Sequence, residues 1–234
     1  MFSEKHAFLG NAGEMGSLLS QHDWAGAGLA QPAEWPMSLK SIASIMLRSR
    51  FPMFLAWGER LTFIYNDAYA PILGGRHPAA LGCPFQEVRA DIWERIAPIV
   101  AAALQGDSSY FENMPLTLSR NGREEMAWFT FSYSPIFSDE GAVCGMYCVC
   151  SETTAQVLAN RSKDDILSKL AHELRNPFSA IQAAAEVLRL GEEADSKTRK
   201  AGDIIVRQVA HLSSRLDNLL EVSDNKRESH PLAR

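Results

Sequence analysis

His172 stands directly before Glu173, three residues before Arg175 and four before Asn176, with Pro177 next, in the string "LAHELRNPFSAIQ". An imidazole has an ordinary pKa of about 6.5, so near pH 7 much of it is a neutral nucleophile. One ring nitrogen can attack a γ-phosphoryl group while a carboxylate holds or removes the proton on the other. Glu173 is the candidate for that general base. The phosphohistidine so formed is labile enough to pass its phosphoryl group to an aspartate on a partner. Asn176 lies one helical turn beyond His172, over the same face, and can orient water for the reverse, phosphatase reaction. Pro177 lacks an amide hydrogen and its ring crowds the carbonyl of Glu173, which costs a helix roughly 3 kcal/mol and predicts a bend. A purely structural helix has no need of that at this place.

The elements around this string are helical. Leu167, Leu170, Leu174, Pro177, Ile181, Ala184 and Leu188 recur at alternating steps of three and four, and Ile205, Val209, Leu212, Leu216, Leu219 and Ser223 do the same. That is a heptad seam. Gly191 and the acidic "EEADS" separate the two runs, which predicts an antiparallel helical hairpin over 153–223. One hairpin leaves its seam half covered, and pairing two into a four-helix bundle buries it, so a homodimer is expected. With Leu170 at d and Leu174 at a, His172 falls at f, facing away from the bundle core. His211 has neither an acidic neighbour nor a proline and reads as ordinary.

Residues 1–33 read as an irregular segment with a short helix near Met15–Ser20. Residues 34–152 read as one α+β domain. Its leading helix carries Pro36 at the start and Leu39, Ile42, Ala43 and Met46 at helical spacing. "FPMFLAW" and "LTFIYN" follow as a hairpin, then a short helical turn at "NDAYAPILGG". A longer helix, "DIWERIAPIVAAALQG", has Asp91 as its cap and Gly106 as its stop. Three antiparallel strands then turn at Asn121-Gly122 and Asp139–Gly141. Strands and helices are segregated, as in α+β folds. A polar tail, 224–234, is expected to fray.

Two stretches resemble known families. "RFPMFLAWGERLTFIYNDAYAPILGGRHPAALGCPF" and "WFTFSYSPIFSDEGAVCGMYCVCSETT" look like the two ends of the PAS sensor fold of bacterial sensor kinases. The segments "GEMGSLLSQHDW" and "EWPMSLKSIASIML" are similar to ones that often precede it, so this resemblance covers roughly residues 10–155. "AHELRNPFSAI" resembles the H-box of sensor histidine kinases, in their dimerisation and histidine-phosphotransfer domain. Phe178 stands where that family often has leucine. The resemblance implies His172 as phosphoacceptor, Glu173 as its acidic neighbour, Asn176 as the phosphatase-type residue and Pro177 as the kink. It also implies a cytoplasmic two-component protein that is phosphorylated on His172 and hands the group to a response-regulator receiver domain. No counterpart of the family's ATP-binding motifs is found, so autophosphorylation by this chain alone is not expected. ATP would act as donor through an ATP-binding domain in trans or missing from this chain, in a short natural protein, a disrupted gene or a fragment alike. The alternative is a non-enzymatic dimeric PAS adaptor that pairs with or titrates intact kinases.

Composition excludes other classes. The 234 residues are 46% apolar and 22% charged with net charge −5, ordinary for a globular chain and without a basic cluster for nucleic acid. Residues 161–234 hold 13 basic and 12 acidic side chains against 10 and 16 before them, a shift that marks a boundary near residue 160. No apolar run is long enough to span a bilayer, and the start is unlike a signal peptide. Cys144, Cys148 and Cys150 share one strand, which would set Cys144 and Cys150 about 20 Å apart. They read as buried hydrophobes rather than metal ligands. The string that marks flavin-binding light sensors is absent, and His77 reads as a structural loop residue rather than a haem ligand. The sensor cup's ligand is unassigned.

Overall fold

The computed structural model describes residues 8–9, 12–120, 122–190, 200, 202–210, 212 and 214. It divides into two compact units, Met1–Leu158 and Ala159–Arg234.

The first unit is built on a five-stranded antiparallel sheet: β1 (Met53–Trp57), β2 (Thr62–Tyr65), β3 (Ser109–Arg120), β4 (Arg123–Phe137) and β5 (Val143–Glu152). The strands lie in the order β2-β1-β5-β4-β3. The expected β1–β2 hairpin and three-stranded β3–β4–β5 meander both form, with Phe131 opposite Cys150. Strand β1 also pairs with β5, setting Phe54 opposite Cys148 and joining the first and last strands in the middle of the sheet. Aromatic alternation along β4 turns Phe129, Phe131 and Tyr133 onto the buried face. The β3–β4 and β4–β5 turns carry Gly122 and Gly141 at positive φ, where a side chain is disfavoured. Gly145 has a different purpose: a Cβ there would meet the Ala56 carbonyl oxygen of β1 at 2.5 Å.

Helices α1 (Gly13–Gln21), α2 (Met37–Arg48), α3 (Ala70–Leu73), α4 (Phe85–Val88) and α5 (Trp93–Leu104) surround the sheet. In α5 the buried residues Ile96, Ile99, Val100 and Ala103 recur at three- and four-residue steps, and this face packs on β3, β4 and β5. Its first helical residue is Trp93, so Asp91 lies outside the helix and makes no cap. The Asp91 carboxylate is instead taken by Arg76 and by the Ser119 amide.

The short helix expected near Met15–Ser20 forms over Gly13–Gln21, and what differs from expectation is its packing: Met15, Leu19, Trp24 and Trp35 are buried in the core. Glycine, alanine and glutamine content suggested irregular chain. The indoles decide otherwise, because Trp24 and Trp35 meet edge to face with ring centroids 5.1 Å apart. Their N–H groups donate to the carbonyls of Leu19 and Ala30.

Asn66, fully buried, joins this helical layer to the sheet. Its amide nitrogen donates to the carbonyls of Met46, Ser49 and Phe51, and its oxygen accepts from the amides of Met53 and Tyr69.

Helix α6 (Thr154–Leu190) follows β5 with only Thr153 between them, and from Ala159 onward it belongs to the second unit. The helix continues through Pro177. Residues 202–210 are also helical. The expected inter-helix turn, His211, Leu216, Leu219, Ser223 and the 224–234 tail lie outside the described residues.

Candidate functional site

The seam of α6 forms as spaced. Pro177 and Ala184 are buried and Leu170, Leu174, Ile181 and Leu188 are half-buried, all on one stripe. The proline ring therefore lies in that stripe. The Glu173 carbonyl receives no amide hydrogen from position 177. His172, Arg175 and Asn176 are exposed and Glu173 is half-buried, so the imidazole faces water, away from the apolar stripe.

Two seam positions are about half exposed in the single chain, Leu167 at 54% and Val209 at 49%, while Gln208 is half-buried. In the second helical stretch the covered face runs through Ile204, Ile205, Gln208 and Leu212, because the steps 204, 208 and 212 follow the four-residue ridge of a helix.

Arg175 Nη1 lies 3.4 Å from His172 Nδ1. A guanidinium can only donate, so Nδ1 accepts in this contact and the proton of the neutral ring sits on Nε2. Ser179 Oγ donates to the Arg175 carbonyl one turn on, at 3.0 Å. Together these place an imidazole, an amide and a cation on one solvated helix face, with the half-buried Glu173 carboxylate next in sequence to the imidazole.

A polar centre that sequence reasoning did not single out lies in the first unit. Arg89, immediately after α4, is only 3% exposed. Its Nε is 3.6 Å from Asp91 Oδ1, whereas Asp91 Oδ2 accepts from Arg76 Nη2 at 3.1 Å and from the Ser119 amide at 3.2 Å. Burial alone would raise the Asp91 pKa. The charge of Arg89, the hydrogen bonds from Arg76 and Ser119 and the charge of Arg76 outweigh it and hold the carboxyl below its ordinary value. Tyr69, Tyr133 and Cys148 line the same space, and burial pushes all three groups upward, toward their neutral forms. The signal was present in "FQEVRADIW": Arg89 follows the buried Phe85 by four residues, which sets both on one helical face.

His77 Nδ1 is 2.8 Å from the Tyr65 hydroxyl and its Nε2 is 3.6 Å from Glu14, contacts that fix the ring within its loop. All four cysteines are unpaired thiols, with Cys148 and Cys150 buried. Among the described residues no cluster of ligating side chains suits a metal, and no helix is long and apolar enough to cross a membrane.

Comparison with known proteins agrees with both halves. Residues 52–158 match the PAS fold, and residues 162–228 match the His Kinase A (phospho-acceptor) domain. The chain is 37% identical over 62 residues to the sensor protein kinase PilS of Pseudomonas aeruginosa, covering 26% of this chain and 12% of that one. It is 22% identical over 167 residues to the signal transduction histidine-protein kinase AtoS of Escherichia coli, covering 68% and 26%. It thus spans about a quarter or less of the length of these curated relatives. An RNA-binding light-oxygen-voltage receptor is similar at a TM-score of 0.42 and 19% identity, over 60% of this chain and 40% of that one. The chain thus pairs a match to the PAS fold with a match to the His Kinase A (phospho-acceptor) domain, and it is similar to sensor histidine kinases over those parts.

Proposed function

We propose that this chain is the sensing and phosphoacceptor portion of a two-component kinase, with His172 receiving a phosphoryl group from ATP and passing it to an aspartate of a response-regulator receiver domain. The single observation that carries this reading is the exposed imidazole of His172, beside Glu173 and opposite a stripe that buries Pro177. Attack through Nε2 requires the ring proton on Nδ1, where Glu173 would hold and then remove it. Arg175 occupies Nδ1 in the observed contact, so its side chain must swing away before attack. Asn176 would orient water for dephosphorylation. An ATP-binding domain brings the nucleotide to this face, and a second copy of the chain completes the bundle. The exposed apolar surface of Leu167 and Val209 supports that pairing.

A change in the sensor cup reaches His172 through α6, which is separated from β5 by Thr153 alone. Inserting a Gly-Ser pair near Ala159 is expected to uncouple sensing from phosphorylation, and an unaltered signal response in that variant would count against the coupling.

The function is tested by incubating the chain with radiolabelled ATP, alone and mixed with a kinase whose own phosphoacceptor histidine has been replaced. Label on His172 in the mixture, lost in His172→Ala, supports the reading. No label in any mixture overturns it in favour of a dimeric adaptor. The alanine variant should keep its stability to within about 0.5 kcal/mol, since the side chain is solvated.

A further inference from the structure

We propose that the cavity between the sheet and its short helices is a receptor site for a small monocarboxylate, held by Arg89. The cavity volume is about 30 Å³, and its wall includes Arg89, Tyr69, Tyr133, Leu116 and Phe131. Space of that size holds one or two water molecules, which the two oxygens of a carboxylate head would replace, with room for a methyl-sized tail at most.

The charge balance around it is incomplete. Arg76 and Arg89 face one carboxylate, Asp91, so the cluster carries one positive charge in excess. Asp91 Oδ2 is already engaged by Arg76 and the Ser119 amide. Asp91 Oδ1 lies 3.6 Å from Arg89 Nε, beyond hydrogen-bond reach. Among the described residues neither Nε nor Nη1 of Arg89 has a hydrogen-bond partner, although the side chain is only 3% exposed. A buried, undercompensated guanidinium is costly unless something anionic meets it, and its planar fork matches a carboxylate in shape. The excess is a single charge, which favours a monoanion over a dianion. The aromatic and aliphatic wall favours a carboxylate with a short apolar tail over an inorganic ion. Tyr69 and Tyr133 stay in their neutral forms here and can add hydroxyl donors to the bound oxygens. The site is independent of the chemistry at His172.

Isothermal titration calorimetry on the chain, at constant ionic strength, compares acetate with its neutral isostere acetamide and with chloride. Acetate is expected to bind at one site per chain, with acetamide and chloride each weaker by about tenfold or more, the size of a lost charge-assisted hydrogen bond. Arg89→Met should abolish acetate binding, and His172→Ala should leave it intact. If Arg89→Met does not fold, the contrast between acetate and acetamide on the unaltered chain decides alone. Absence of acetate binding, equal binding of acetamide or chloride, or full binding in a folded Arg89→Met protein overturns the proposal.

Discussion

Arg120, the last residue of β3, donates from Nη2 to Glu152 Oε2 at 2.8 Å, and Glu152 is the last residue of β5. The other Glu152 oxygen accepts from Thr154 Oγ1 at 2.8 Å, and that hydroxyl accepts from the Trp128 amide at 3.0 Å. The first residue of α6 is therefore fastened to two strands through one carboxylate. Arg120→Met should lower stability by roughly 1 to 3 kcal/mol, the range for hydrogen bonds to charged groups. A reduced urea midpoint at unchanged slope would report that loss. Amide hydrogen exchange over residues 154–158 should quicken in the same variant, and unchanged exchange there would show that the pair does not hold the helix start.

Asp91 makes stability depend on pH. Its folded-state pKa is depressed, so its contribution is present in full above the ordinary carboxylate value of about 3.9 and is lost as pH falls through the lower folded value. At pH 7, Asp91→Asn should cost about 3 kcal/mol, the scale of a broken buried pair, because two guanidinium groups lose their shared partner. Denaturant titrations from pH 7 downward should show the gap between the two proteins narrowing below about pH 4. A gap that stays constant into that range would remove Asp91 as its source.

Asn66 is fully buried and contacts the carbonyls of Met46, Ser49 and Phe51 and the amides of Met53 and Tyr69, so cutting back the side chain breaks all five contacts at once. Asn66→Ala should destabilise the first unit by more than about 3 kcal/mol, well above the usual effect of a point change. Thermal unfolding measures it. A shift equivalent to less than about 1 kcal/mol would mean that these bonds are replaced rather than lost.

Leu167 and Val209 test the dimer. Each is about half exposed although each occupies a seam position. Replacing both with glutamate should convert a dimer to monomer in native mass spectrometry, while circular dichroism shows the helices retained. A chain that is monomeric without any substitution would end the bundle reading.

The contact from Arg175 gives an expectation for the resting tautomer of His172. With the guanidinium donating to Nδ1, the neutral ring should carry its proton on Nε2, and nitrogen chemical shifts of a labelled sample would display it. Arg175→Ala should move the population toward the Nδ1–H form. Identical shifts in the two proteins would mean that the contact exerts no hold in solution.

Sequence by itself determined the features set by the local repeat of the chain. Alternation in "AWFTFSY" fixes which face of β4 is buried, because side chains of a strand change sides at each residue. Steps of three and four from Leu170 to Leu188 fix the apolar stripe of α6 and, by subtraction, the outward turn of His172, because both follow from helical pitch. Tertiary structure alone decided the features made by residues distant in sequence. Asp91 reads locally as a helix cap, yet Arg76 and the Ser119 amide claim its carboxylate from 15 and 28 residues away. The leading segment lacks a strong periodic pattern, yet Trp24 and Trp35 bury themselves against each other and draw it into the core. The unmatched charge of Arg89 is likewise invisible in a string of letters, since whether a cation is paired depends on which anions the fold brings within a few ångströms of it.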